Sequence, residues 1–212
     1  MARGRSQSDN AKLFGPMGES LLQFLAKIEL DIPFSPSQKY LSLLLPALLV
    51  LDAASCALIS STHIDKVLTI LEGTVPLSPN AGDSDGLEVL TPLTTLNFFA
   101  EYSNAEAKAY IRDLLLPSTE ANPPRSDQSF CTRLLQASAL GTGPIKGLVA
   151  NLFFVLAGKD KEQLVKDIGS AHALGLAPAL GINPLDLAGG CDVSTMPASS
   201  DAETNKPDGM EE

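Results

Sequence analysis

The stretch Asn151 to Leu180, NLFFVLAGKDKEQLVKDIGSAHALGLAPAL, decides what kind of protein this chain can be. From Leu148 to Leu156 the residues are apolar almost all round, so a helix here must be covered on several sides by neighbours. That is the pattern of a central helix in an all-α stack. Gly158-Lys159-Asp160 then marks a turn, and Asp160 with Gln163 opens a second helical pattern rich in Gly169, Ser170, Ala171, Ala173, Gly175 and Ala177. So little side chain predicts close approach between this helix and whatever packs on it.

Working outward, the composition supports helices throughout. Of the 212 residues 44% are hydrophobic, enough for a substantial core, while aromatics reach only 5% and Trp is absent. Leu and Ala dominate, as in helices packed on helices rather than in a β-sandwich. The net charge of −10 and the pI near 4.6 exclude the clustered Lys and Arg that a nucleic-acid partner requires. Cys56, Cys131 and Cys191 are odd in number and far apart, with no metal-ligand spacing, so a reduced, cytoplasmic protein is expected. No glycosylation sequon occurs, and the N-terminus lacks a signal peptide's apolar core. The apolar run Leu41 to Leu51 is interrupted by Pro46 and ends at Asp52, short of the roughly 20 residues a bilayer demands. It predicts a buried helix and no membrane span.

Residues 1–17 carry no periodicity and are expected to be disordered. Helical repeats are expected over 18–180. Leu21, Leu22, Leu25 and Ile28 fall on one side of the first helix, which Pro33 stops. Residues 40–59 read as one long helix or a pair broken at Pro46. Thr62 is the expected N-cap of a helix ending at Gly73, and Ser103 with Glu106 fits a capping box. Ser126 suits the start of a helix to Leu140, and Pro144 the first turn of the next, to Ala157. Residues 74–86 and 118–125 read as loops; Asp83-Ser84-Asp85-Gly86 lacks the ligand frame of a calcium site. The expected starts at 62, 104 and 144, and at 87 and 126, recur at 39 to 42 residues, the period of armadillo or HEAT stacks. Beyond residue 180 the chain holds seven acidic residues and one Lys, a net of −6, and is expected to be a disordered acidic tail. There Ser200-Asp201-Ala202-Glu203 resembles the patterns acidophilic kinases accept, which makes Ser200 a candidate phosphorylation site.

Catalytic chemistry needs a cluster, and the sequence offers none. His63 and His172 are the only histidines, and His172 sits among small residues. Gly141 to Gly147, GTGPIKG, lacks the Gly-Lys-Ser/Thr ending of a phosphate loop and reads as an interhelical turn. No cofactor or metal site is expected.

Four segments carry a family resemblance: Tyr110-Ile-Arg-Asp-Leu-Leu-Leu-Pro-Ser118, Phe130-Cys-Thr-Arg-Leu-Leu135, Leu152-Phe-Phe-Val-Leu156 and Ile168-Gly-Ser-Ala-His-Ala-Leu-Gly-Leu176. In order and spacing they resemble the synembryn family, chaperones and guanine-nucleotide exchange factors for heterotrimeric G-protein α subunits. Where the family commonly carries Gly-Tyr-Gly, this chain reads Gly169-Ser170-Ala171. The family is also much longer, so the chain is expected to be a fragment. The resemblance implies an α-solenoid that captures the C-terminal helix of a Gα subunit and holds its nucleotide-free state, at the cytoplasmic side of the membrane and as a monomer. Arg112, Arg133 and Lys146 are the cations expected to line that surface, and Arg112→Glu is expected to weaken binding without unfolding. The alternative is an armadillo-like scaffold for an unrelated client.

Overall fold

A computed structural model describes residues 7–30, 40–75, 87–116, 130–140 and 143–188 of the chain. The loops 76–86 and 117–129, Ser126, Ser200, Cys191 and the sequence from 189 onward lie outside the described residues, so the expectations for them stand as expectations. Among the described residues the regular elements are all helical, and the fold is all-α. They are α1 (Gln7–Lys27), α2 (Leu41–Leu48), α3 (Ala53–Cys56), α4 (Ser61–Thr74), α5 (Leu87–Tyr102), α6 (Ala105–Leu115), α7 (Phe130–Leu140), α8 (Gly143–Leu156), α9 (Lys161–Ile168), α10 (Ser170–Leu176), a 3-10 turn at Ala177–Leu180, and α11 (Pro184–Ala188).

Burial of one apolar stripe per helix arranges these elements in two rows. Helices α2, α5 and α8 and the 3-10 turn pack successively in one row; α1, α4 and α6 form the other, with α4 and α6 crossing onto α5. The space between the rows is filled by side chains with no exposed surface, among them Leu25, Leu48, Ile64, Leu71, Leu96, Phe99, Ile111 and Phe153. Two buried polar residues of α5 stitch the first row together. Thr95 donates to the Leu45 carbonyl of α2 at 3.4 Å, and the Asn97 amide donates to the Leu148 carbonyl of α8 at 3.0 Å. Both groups therefore satisfy the requirement that buried polar atoms be paired.

Helix α8 behaves as expected: Val149, Ala150, Leu152, Phe153 and Leu156 are all buried, and it packs on α5, α7, the 3-10 turn and, less extensively, α6, α9 and α10. The period of about 40 residues does not describe the packing. It placed α4, α6 and α8 in equivalent positions, whereas α8 belongs to the row of α2 and α5. The intervening α7, which packs on α8, shifts the alternation by one helix.

Several expected boundaries move. Helix α1 begins at Gln7, not Gly18, because a polar sequence does not break a helix already nucleated by its apolar half. Pro16 lies inside it, and the Ser20 hydroxyl donates to its carbonyl at 2.8 Å. Residues 40–59 resolve into the short helices α2 and α3, and Pro46 lies within α2, on its exposed side. The cap of α4 is Ser60 rather than Thr62, and its helix runs through Gly73 to Thr74. At α6 the cap is Asn104, whose side-chain oxygen accepts from the Ala107 N–H at 2.8 Å; Ser103 is buried one residue earlier. The ordered structure also continues past residue 180, with Ile182 and Leu187 buried around α11.

The small-residue segment has a different cause from the one its composition implied. It is two helices, α9 and α10, separated by Gly169 at φ 82° and ψ 153°, a region essentially reserved for glycine. Asp160 caps α9 as expected, accepting from the Gln163 N–H at 2.9 Å. A Cβ at Gly175 would meet nothing within 4 Å, so close approach does not explain that glycine. The tight contact is elsewhere, at Gly18 of α1, where a Cβ would lie 2.8 Å from the Ser55 Cβ. Gly169→Ala is therefore expected to destabilise the chain by about 1–3 kcal/mol through backbone strain alone. Gly175→Ala should stabilise it by about 0.5–1 kcal/mol, since helix interiors disfavour glycine. Urea midpoints of the two variants, shifting in opposite directions, check both.

Candidate functional site

Helix α5 turns one mixed face to solvent along the first row. On it Thr94, Asn97, Phe98, Glu101 and Tyr102 border an open groove of about 460 Å³, completed by Leu49 after α2, by Asn151 of α8 and by Lys159. The floor is polar and internally satisfied: the Asn97 amide donates to the Leu93 and Leu148 carbonyls, and the Asn151 amide donates to the Asn97 side-chain oxygen at 2.9 Å. Asn97 is buried and thereby fixed; Asn151 is exposed, and its own amide oxygen faces no donor among the hydrogen bonds of the described residues. Such an oxygen can accept from a partner.

The wall is aromatic. Phe98 and Tyr102, one helical turn apart, lie with ring centroids 4.9 Å apart, and Tyr102 is 62% exposed. An exposed tyrosine beside a half-buried phenylalanine offers rigid apolar area with a polar tip.

Lys159 closes the far end. It adopts φ 62°, a left-handed conformation rare for a side chain other than Gly, Asn or Asp, in the turn that follows Gly158 at φ 70°. The turn is held by the Lys159 N–H donating to the Phe154 carbonyl at 2.8 Å. Its ammonium then reaches Glu101 at 2.6 Å. Strain of this kind persists only where the surroundings over-determine it, and it gathers at binding sites. Lys108 adds a second cation, donating to the Glu101 carbonyl at 2.7 Å.

The three cations expected from sequence do not meet in this groove. Arg112 is no free surface cation: its guanidinium forms a fork with both Asp167 oxygens at 2.8 Å and donates to the Leu156 carbonyl at 2.6 Å. Gln163 donates to the same carboxylate at 2.7 Å. Arg112 thus fastens α6 to α9 and to the end of α8, with its side chain one-third exposed and that of Asp167 10% exposed. Arg133 lies over its neighbour Phe130, 5.3 Å from the ring centroid. Lys146 is half-buried on α8 with no ion pair among the described residues. Neither histidine borders the groove: His63 is taken up in the cap of α4, and His172 is exposed on α10.

Asn97, Phe98, Tyr102, Asn151 and Lys159 were thus missed by a search directed at charge. A signal was present in the sequence. Asn97-Phe98-Phe99 and Asn151-Leu152-Phe153-Phe154 each place one amide in a mainly apolar run two residues before a fully buried phenylalanine.

Cys56 and Cys131 are free, and burial pushes the Cys131 thiol up to about 11. No helix of the described residues is long and apolar enough to cross a membrane.

The profile of the family described as guanine nucleotide exchange factor synembryn matches residues 4–209. The protein Chaperone Ric-8 of Drosophila pseudoobscura pseudoobscura is 27% identical over 158 residues, covering 73% of this chain and 28% of that protein. The chain therefore spans a little over a quarter of that relative's length. No solved structure matches the chain significantly.

Proposed function

Because the chain belongs to the synembryn family of guanine nucleotide exchange factors, we propose that it binds heterotrimeric G-protein α subunits as a chaperone and exchange factor, favouring their nucleotide-free state. The observation that carries this reading is the family match along nearly the whole chain, joined to a preformed groove on the row α2–α5–α8. A helical segment of the Gα subunit, its C-terminal helix, docks in that groove with its apolar side on Phe98 and Tyr102. The free oxygen of Asn151 accepts a hydrogen bond from its polar side. Arg133 and Lys146 are flanking contacts for an acidic rim of the partner; Arg112 contributes by holding α6 and α9 in register.

The action requires no bond-making. A protein that binds the nucleotide-free conformer more tightly than the GDP-bound one shifts that equilibrium by the ratio of the two affinities, and GDP leaves faster. A site of action in the cytoplasm, at the inner face of the plasma membrane, follows from the partner.

Capture of GDP-bound and of nucleotide-free Gα on immobilised chain tests the reading. Preferential retention of the nucleotide-free form is expected; equal retention would leave a helical scaffold without exchange activity. Within the groove, Tyr102→Ala should weaken binding at least tenfold, as an exposed aromatic anchor does, while the helical circular dichroism stays unchanged. Unaltered affinity would place the partner on another face.

A further inference from the structure

The cap of α4 is built around a titratable ring. In the usual capping box a Glu or Gln three residues into the helix reaches back to the backbone N–H of the cap residue. Here that residue is His63: the Ser60 N–H donates to its Nδ1 at 3.0 Å, and the Ser60 hydroxyl lies 2.8 Å from the same nitrogen. A lone pair that accepts a backbone N–H is unprotonated, so the ring proton belongs to Nε2, and the ring lies on the side of the Leu22 carbonyl of α1. One neutral imidazole therefore caps α4 where that helix packs on α1. It is 9% exposed, and the Lys66 ammonium of α4 donates to the Ile28 carbonyl, one residue past the end of α1, at 2.7 Å.

Protonation is incompatible with this joint. A hydrogen on Nδ1 would point at the Ser60 N–H, which cannot turn away; only the hydroxyl can rotate to accept. The added positive charge would also lie at a helix N-terminus, where the macrodipole disfavours it. The charged groups on the surrounding elements are engaged or turned outward. Asp52 caps α3 through one oxygen, accepting from the Ser55 N–H, while its other oxygen is buried without a partner among the described residues; Asp65 accepts from the Tyr110 hydroxyl. Glu101 of α5 is held by Lys159, and Lys108 and Arg112 of α6 bind Glu101 and Asp167. Glu19, Lys27 and Glu29 around α1, Glu72 of α4, Glu88 of α5, and Glu106 and Asp113 of α6 are exposed, and Cys56 of α3 is buried. None of them offers the imidazolium a counter-charge. A charged ring is accommodated by swinging out to water, which gives up the cap of α4 and the contact with α1 together.

We propose that the α1–α4 joint is an acid-sensitive latch, closed by neutral His63 and opened by its protonation. Burial holds the ring below its ordinary value of 6.5, with the Leu22 carbonyl opposing more weakly. The folded form thus prefers the neutral ring. The latch has its full strength above about pH 6.5 and loses it as pH falls from there through the lower, folded value.

The full chain tests this by hydrogen exchange at pH 7.5 and 5.5, corrected for the pH dependence of the chemical exchange rate. Protection of the first turns of α4 and of residues 22–28 should fall on acidification, by up to about tenfold per pH unit in that window. His63→Gln restores the ordinary capping box without a titrating group, so its protection in these segments should not change between the two pH values. An equal loss in the Gln variant, or none in the original chain, would overturn the proposal. Should the variant fail to fold, NMR titration of the two histidine rings of the unaltered chain decides. A His63 midpoint below 6.5 supports the latch, and one at or above it removes the latch.

Discussion

Arg112→Glu is expected to lower the stability of the chain by about 3 kcal/mol, because it breaks a largely desolvated ion pair and leaves two carboxylates facing each other. The native guanidinium satisfies both oxygens of Asp167, a side chain only 10% exposed, together with the carbonyl at the end of α8. Three helices lose their common fastening at once. For a chain of this size the thermal midpoint should fall by about 6–12 °C. Because the Arg112 side chain is itself one-third exposed, the loss stays below the full value for a fully buried pair. Arg112→Met combined with Asp167→Leu should recover most of the loss, since apolar replacement of both partners removes the stranded charge. Calorimetry on the single and double variants checks this; equal midpoints for the two would show that the pair is not the cause. Weaker Gα capture by Arg112→Glu therefore has to be read beside its helix content, contrary to the harmless surface substitution that the sequence implied.

Phe153→Ala should cost more, about 3–5 kcal/mol. Its ring is fully buried on α8, the helix that packs on more neighbours than any other element of the first row, so the surroundings have little freedom to collapse into the space left. Urea denaturation should show a lower midpoint at an unchanged slope. A loss below 1 kcal/mol would mean that α8 does not centre the core.

Apolar pattern made the helices legible. Leu148 to Leu156 announced a helix covered on several sides, and it is one; Asp160 and the first turn at Gly143-Pro144 fell where side-chain chemistry put them. What the pattern could not supply was the extent of helices whose ends are polar, such as Gln7 to Gly18, or which of two adjacent polar residues caps. Ser103 and Asn104 are both competent caps, and packing chose by burying the first. The pairing of rows was hidden for a related reason, since α7 changes which helices are neighbours without changing the spacing of starts. The groove was illegible to a search for cations because the cation that lines it, Lys159, is paired and Arg112 lies outside it, fastening helices instead. Arg112 and Lys159 found carboxylates 55 and 58 residues away, contacts that no local pattern encodes.

The end of α5 illustrates what such pairing does. Its last turn, where the helix dipole is negative, receives the ammonium of Lys108 on the Glu101 carbonyl and that of Lys159 on the Glu101 carboxylate. The groove is thus electrically quiet within a chain of net charge −10, more than half of which belongs to sequence beyond Leu180. On the proposed reading, attraction and discrimination are separated along the chain: long-range fields arise from the acidic sequence, while the groove would sort partners by shape and hydrogen bonding. Salt can then tune how fast a partner arrives without altering which partner fits.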